Sequence, residues 1–178
     1  MPSKPLVYWD TCVFLGYLQQ TKGRYADLSK ILAEAENNRI LLCTSAITIT
    51  EAAFIDRNAN TSPEEIEQQG KIIKDFFRRD CVNIVWADQL VAQEAADILR
   101  RYKGLTPLDA IQVATALFAN VPCLYTYDGA NKAGKRRSGK LLTFDGKIRL
   151  PGKGPLSIKT PEKFFDSSSR PLIDHLAD

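Results

Sequence analysis

The chain has 178 residues, a formal net charge of +3 and a hydrophobic fraction of 44%, which suits a single folded domain with a full core. Its one histidine, His175, lies near the end, so a histidine-based triad or histidine zinc cluster cannot account for its function. No apolar run reaches membrane-spanning length and residues 1–4 lack a signal-peptide pattern, so we expect a cytoplasmic protein without membrane contacts. The four cysteines are far apart in apolar surroundings and are expected to be reduced thiols.

Predicted strands and helices alternate along the chain. Residues 6–9 are apolar on both faces, as in a central parallel strand, and Asp10 and Thr11 then offer N-caps to a helix that runs to Leu18. Further helices are predicted over 25–37, 46–56, 63–79, 89–102 and 107–119, and further strands over 39–43, 82–87, 123–127 and 156–159. A short capped helix is predicted to start at residue 160. The alternation predicts an α/β fold with three α/β/α layers around a central, mostly parallel sheet.

One acidic residue lies on the otherwise apolar face of the predicted helix 46–56. Glu51 is spaced to share that face with Ile47, Phe54 and Ile55. Two interpretations are open: the carboxylate reaches water from the flank of the helix, or it belongs to a functional site. The second interpretation requires other acidic side chains nearby.

The segment LTPLDAIQVATALFANVPCLYTYD, residues 105–128, combines a capped helix with a buried strand. Thr106 is the predicted N-cap, Pro107 the first helical residue, and Asp109 the partner that completes a capping box. The strand ends in Asp128, which is followed by a glycine as in a tight turn. Capping and turn formation alone would explain both acids, and a functional interpretation gains weight only if further acids converge on the same place.

Four acidic residues are predicted to meet at one edge of the sheet. Asp10 and Asp128 follow strands directly, while Glu51 and Asp109 lie on helices joined to strands by short connections. Ligands of open parallel sheets bind at the carboxyl ends of the strands, so we expect these side chains to converge. Four carboxylates repel one another unless a cation neutralises them, and oxygen ligands alone select Mg²⁺ or Mn²⁺. Such ions serve in the hydrolysis of phosphodiesters.

Residues 129–154 form a basic, glycine-rich segment. It holds eight basic residues against one acid, a net charge of +7, while the whole chain carries +3. A charge run of this kind is often only a solvated loop, but this one begins beside Asp128 and could hold a polyanion there. The candidate RNA-binding residues are Lys132, Lys135, Arg136, Arg137 and Lys140. Within the segment, residues 141–144 and 147–150 are predicted to form a hairpin around Asp145-Gly146, which excludes Asp145 from the acidic site.

Taken together, these pieces resemble the PIN-domain ribonucleases, particularly the VapC-type toxins of toxin–antitoxin pairs. The matching parts are the strand ending in Asp10-Thr11, Glu51 in its helix, LTPLDAIQVATAL with Asp109, the strand ending in Thr126-Tyr127-Asp128, and the closing SIKTPEKF. The resemblance covers about residues 6–165. The LTPLDAIQVATAL piece is fairly specific, and the order and spacing of the four acids add to it, whereas a single Asp-Thr pair would be a weak signal.

The resemblance implies a metal-dependent endoribonuclease with a PIN-like fold. Asp10, Glu51, Asp109 and Asp128 would be the catalytic residues and the ligands of Mg²⁺ or Mn²⁺, with Thr11 and Thr126 as supporting hydroxyls. RNA would be the substrate, and an antitoxin protein and a second copy of the chain would be the partners to look for. The expected organisation is one nuclease domain over residues 1–166, with a basic insertion at 129–154 and a C-terminal tail at 167–178.

Two other functions share parts of this pattern. Haloacid dehalogenase-type phosphohydrolases also place an Asp after the first strand, but they need a second Asp two residues later, where this chain has Cys12. A non-catalytic RNA-binding or protein-interaction module would use the basic segment without hydrolysis. Such a module has no use for four acids beside its phosphate site, and their convergence is the observation that separates the two functions.

Overall fold

The computed structural model describes residues 4–53, 61–130, 140–150, 152 and 154–165. Five strands occur in these ranges: β1 Leu6–Trp9, β2 Leu41–Ser45, β3 Val82–Val85, β4 Cys123–Tyr125 and β5 Ser157–Lys159. The α-helices are α1 Thr11–Leu18, α2 Tyr25–Glu36, α3 Ile47–Ala52, α4 Pro63–Phe77, α5 Gln89–Arg101 and α6 Pro107–Phe118, and short 3-10 helices cover Leu141–Phe144 and Pro161–Phe165. None of the helices in the described ranges has the length and apolar character that crossing a bilayer requires.

The strands form one sheet in the order β3-β2-β1-β4-β5, and all four pairings are parallel. β1 lies at the centre, where Tyr8 pairs with Cys43 on one side and Leu124 on the other. Parallel neighbours need crossover connections, and the helices provide them. The carboxyl ends of the strands therefore share one edge of the sheet, and that edge carries Asp10. The predicted mostly parallel sheet is confirmed.

The two faces of the sheet bury separate cores, because successive residues of a strand point to opposite sides. On β1, Trp9 packs with α1, α2 and α4, whereas Tyr8 packs with α5 and α6. Leu42 and Cys43 of β2 divide between the same two clusters. Helices thus cover both faces, which confirms the predicted three-layer α/β/α arrangement.

Local capping explains where several helices begin. Asp10 caps α1, Asp88 caps α5, and Ser62 and Thr106 form capping boxes at the starts of α4 and α6. β2 begins two residues later than predicted because Asn38 adopts a positive φ of 67° and Arg39 N still donates to a carbonyl at the end of α2.

The predicted hairpin over 141–150 is wrong. Residues 141–144 form a 3-10 helix instead, with Leu141 and Phe144 buried in the core beneath α5 and α6. The Asp145-Gly146 turn is present, and Lys147 N donates to the Phe144 carbonyl at 3.0 Å. The Asp145 carboxylate accepts from Ile158 N at 2.7 Å, so it binds the backbone of β5. Burial of two apolar residues three apart favours the helical turn over an exposed strand.

Candidate active site

Asp10 is a buried carboxylate held by neutral donors at the end of β1. Its Oδ1 accepts from Thr11 N at 2.6 Å, and its Oδ2 accepts from Thr126 Oγ1 at 2.7 Å and Cys12 Sγ at 3.2 Å. Only 7% of the residue is exposed. Burial raises the pKa of Asp10 to about 6, and the Glu51 charge adds to the rise, while the hydrogen bonds from Thr126, Cys12 and Thr11 oppose it.

Glu51 accepts two hydrogen bonds on the same oxygen. Thr11 Oγ1 donates to Glu51 Oε2 at 2.5 Å, and Gln112 Nε2 donates to it at 3.0 Å. Thr11 therefore joins the two acids, since its backbone N–H binds Asp10 and its hydroxyl binds Glu51. Both donors are neutral, so neither of them supplies a positive charge to this part of the site.

The orientation of the Gln112 amide is set by a buried hydrogen-bond network. Tyr8 Oη donates to Gln112 Oε1 at 2.6 Å, so the amide nitrogen faces Thr11, Thr48 and Glu51, each at 3.0 Å. Gln112 is 1% exposed. Burial and the Asp10 charge raise the pKa of the Tyr8 phenol well above its usual value, so this phenol stays protonated and remains a donor.

The hydrogen bonds also determine which threonine hydroxyl is the donor at the other end of the network. Thr44 Oγ1 donates to the Trp9 carbonyl at 2.8 Å, which leaves Thr48 as the donor in the 2.7 Å bond between Thr48 and Thr44. Thr48 then accepts from Gln112. The hydroxyl and amide groups of this hydrogen-bond network all have partners, as buried polar groups require. The donors that face Glu51 are therefore held in place.

Asp128 is linked to Asp10 through one hydroxyl. Thr126 Oγ1 donates to Asp10 and accepts from Asp128 N at 2.9 Å. The Asp128 carboxylate itself has other partners: Leu141 N donates to Oδ2 at 3.0 Å, and Lys140 Nζ lies 2.7 Å from Oδ1. Asp128 therefore lies beside the Asp10–Glu51 pair with its charge neutralised by a lysine.

Asp109 uses its carboxylate at the start of α6. Its Oδ2 accepts from Thr106 N at 3.0 Å and from Thr106 Oγ1 at 2.7 Å, in the predicted capping box. Asp109 precedes Gln112 by three residues, so both lie on the same side of the helix, one turn apart. In this arrangement Asp109 caps its own helix, and the hydrogen bonds described for it do not reach the other acids.

The four predicted acids are therefore connected unequally. Asp10 and Glu51 share Thr11, Asp128 joins through Thr126, and Asp109 is occupied by Thr106. In the part of the chain that the structure describes, no three Asp, Glu, Cys or His side chains are grouped so that they could hold a metal ion. The oxygen donors of Asp10 and Glu51 suit a hard divalent ion in their chemistry. A four-carboxylate site requires Asp109 and Asp128 to exchange their present partners, and it stays a prediction.

Several site residues were absent from the sequence-based prediction, and others lie beyond the described ranges. Gln112, Tyr8 and Thr48 were not predicted to take part, although a glutamine on the buried face of α6 is a signal that could have found the first. Of the predicted RNA-binding residues, Lys140 contacts Asp128. The other four lie outside the described residues: Lys132, Lys135, Arg136 and Arg137.

Comparison with solved structures supports the fold. The VapC20 toxin of Mycobacterium tuberculosis, described as cleaving the sarcin–ricin loop, aligns with a TM-score of 0.56 and 13% identity over 70% of this chain and 91% of that one. A toxin–antitoxin complex from Klebsiella pneumoniae gives a TM-score of 0.51 at 22% identity over 72% and 91%. VapBC2 from Rickettsia felis, bound to a DNA fragment from its promoter, gives 0.51 at 17% identity over 70% and 89%.

Family assignment rests on the sequence itself. No curated protein sequence matches the chain. The family model described as the PIN domain matches residues 7–150, and this stretch includes Asp10, Glu51, Asp109 and Asp128. Because the match extends over most of the chain, the protein belongs to the PIN-domain family.

Proposed function

We propose that this protein is a metal-dependent endoribonuclease that hydrolyses RNA phosphodiester bonds with Mg²⁺ or Mn²⁺. The observation that carries the proposal is the pair formed by Asp10 and Glu51, two charged carboxylates bridged by Thr11 and surrounded by neutral donors. Neighbouring carboxylates repel each other, and the repulsion is relieved by a cation. The match to the PIN-domain model over residues 7–150 supports nuclease chemistry at this position.

In this proposal the four acids would hold the divalent ion. Asp10 and Glu51 would be its first ligands, and Asp109 and Asp128 would contribute only after exchanging their present partners, Thr106 and Lys140. When bound, such an ion lowers the pKa of water and neutralises charge on the phosphate. Thr126 and Thr11 orient the Asp10 carboxylate, while Gln112 and Thr11 bind one oxygen of Glu51, whose other oxygen has no hydrogen bond from the described residues.

We further propose that the enzyme acts as the toxin of a toxin–antitoxin pair in the cytoplasm. The similar structures from Klebsiella pneumoniae and Rickettsia felis are toxin–antitoxin assemblies, and VapC20 is described as a toxin that cleaves the sarcin–ricin loop. An antitoxin protein is therefore the partner to seek, and RNA is the substrate. Neutralisation of the cleavage activity by a co-purified protein would support this assignment.

The proposed activity is tested with purified protein and a long single-stranded RNA labelled at one end. We expect endonucleolytic products in Mn²⁺ or Mg²⁺, none in a chelator, and recovery when the metal is added back. Asp10→Asn should abolish cleavage, while Asp145→Asn, which removes an acid that binds the backbone of β5, should retain it. Metal-independent cleavage, or full activity of Asp10→Asn, would overturn the proposal. RNA binding without cleavage under all conditions would instead favour a non-catalytic RNA-binding module.

A further inference from the structure

Lys140 lies against one of the four acids. Its Nζ is 2.7 Å from Asp128 Oδ1, and the two side chains are 38% and 20% exposed. Asp128 in turn donates its backbone N–H to Thr126, whose hydroxyl binds Asp10. The ammonium group is therefore a positive charge at the margin of the acidic site, three polar contacts away from the buried carboxylate of Asp10.

The backbone around Lys140 holds the side chain at this place. Leu141 N donates to Asp128 Oδ2 at 3.0 Å, and Leu142 N donates to the Asp128 carbonyl at 3.2 Å. Leu141 is fully buried, which anchors the segment in the core. Gly129 allows the close approach, because a Cβ on it would lie 2.8 Å from Lys140 Cβ.

Both oxygens of the Asp128 carboxylate have partners in this geometry. Its Oδ2 anchors the backbone of Leu141, and its Oδ1 binds an ammonium group. A divalent ion prefers the same carboxylate oxygens, so the ion and the ammonium group compete for Oδ1. The pairing also places the positive charge of Lys140 where it would repel an arriving cation.

We propose that Lys140 is a built-in cation that competes with the divalent metal ion for Asp128. The inference rests on the proposed function, because it takes Asp128 as a metal ligand. Lys140 neutralises Asp128 until the ion replaces it, and the ammonium group then moves from the carboxylate. The site consequently binds metal less tightly than its carboxylates alone would, and its occupancy responds to the concentration of free divalent ion.

The test compares Mn²⁺ binding to the full chain and to Lys140→Met, which keeps the length of the side chain and removes its charge. Binding is followed by the paramagnetic resonance signal of free Mn²⁺ in the absence of RNA. We expect the dissociation constant of Lys140→Met to fall about five-fold, equivalent to about 1 kcal/mol. Lys147→Met is the matched control, since Lys147 is in the same basic segment and donates to the Thr143 carbonyl.

A double-mutant cycle identifies Asp128 as the point of competition. In an Asp128→Asn background, the change Lys140→Met should leave Mn²⁺ affinity unaltered. Unchanged or weaker binding by Lys140→Met, or an equal gain in Lys147→Met, would overturn the inference while leaving the proposed function intact. If neither the original protein nor Lys140→Met binds Mn²⁺, both proposals fail together. Thermal unfolding of each variant confirms that the fold persists.

Discussion

Tyr8 donates its phenolic hydrogen bond to Gln112 Oε1 at 2.6 Å, and this single contact determines which end of the amide faces Glu51. With the carbonyl oxygen taken by Tyr8, the Gln112 nitrogen points toward Thr11, Thr48 and Glu51. Residues from β1, α1, α3 and α6 are thereby joined through one side chain. The position of Glu51 beside Asp10 depends on a residue that carries no charge.

Replacing Gln112 by Leu should destabilise the protein by about 3 kcal/mol, because it leaves the buried Tyr8 hydroxyl without its acceptor and removes one of the two donors to Glu51. The free energy of unfolding is measured by urea denaturation. Gln93→Leu is the control, since Gln93 is exposed on α5, and it should change stability by less than about 0.5 kcal/mol. A loss of similar size in the two variants would contradict the role assigned to Gln112.

The raised pKa of Asp10 predicts a pH-dependent stability in metal-free buffer. Its folded-state pKa of about 6 lies above the unfolded value of 3.8, so the folded protein retains the proton to higher pH. This group therefore lowers stability progressively as the pH rises from about 4 to above 6, by up to about 3 kcal/mol at pH 7. Asp10→Asn lacks this titration.

We accordingly expect Asp10→Asn to unfold at higher urea concentration than the original protein at pH 7.5 in chelator, and the difference to disappear near pH 4. Adding Mn²⁺ should stabilise the original protein and leave Asp10→Asn unchanged, because a bound ion stabilises only the state that binds it. Asp75→Asn, a change at an exposed acid of α4, is the control. A less stable Asp10→Asn at pH 7.5 would refute the inferred burial cost.

Gly129 should tolerate alanine poorly. Its φ of 93° is unfavourable for any residue with a side chain, and the added Cβ would lie 2.8 Å from Lys140 Cβ. Gly146 has a φ of 67° with no atom within 4 Å of an added Cβ, so Gly146→Ala isolates the backbone cost of about 1–2 kcal/mol. Gly129→Ala should lose at least about 1 kcal/mol more in thermal or urea unfolding. Equal losses would show that the approach of Lys140 is not constrained.

The basic segment is predicted to bind RNA backbone without sequence preference. Neutralising Lys132, Lys135, Arg136 and Arg137 should weaken binding to unrelated RNAs and reduce the salt dependence of affinity by about 0.7 in slope for each lost phosphate contact. Fluorescence anisotropy at several salt concentrations measures both quantities. Mn²⁺ binding should persist in this variant. Unchanged affinity and slope would indicate that the segment contacts a protein partner.

Elements with local signals were predicted closely from the sequence. The start of α6 matches because Thr106, Pro107 and Asp109 act within one helical turn, and β1 matches because both of its faces are apolar. The hairpin prediction failed because the Asp145 carboxylate accepts a hydrogen bond from the backbone of β5 and because Leu141 is buried in the core. Contacts of this kind join separate segments of the chain, so local sequence patterns do not predict them.

The candidate site was predictable in its charged residues and less so in its neutral ones. Acids at strand ends stand out from the pattern, and the placement of Asp10 beside Glu51 follows from the parallel topology. Gln112 was not predicted to take part because its role depends on hydrogen bonds to Tyr8, Thr11 and Glu51, which lie far away in the sequence. The pairing of Lys140 with Asp128 could not be predicted either, because the two residues are twelve positions apart and no local pattern brings them together.

The central claim is that Asp10 and Glu51 hold a divalent ion. A crystal structure of the protein grown with Mn²⁺, with an anomalous difference map at a wavelength where manganese scatters strongly, tests it most directly. The account predicts a peak coordinated by the carboxylates of Asp10 and Glu51, with Lys140 moved away from Asp128 if that residue also binds the ion. A map with no peak at these two carboxylates at saturating Mn²⁺ would contradict the account.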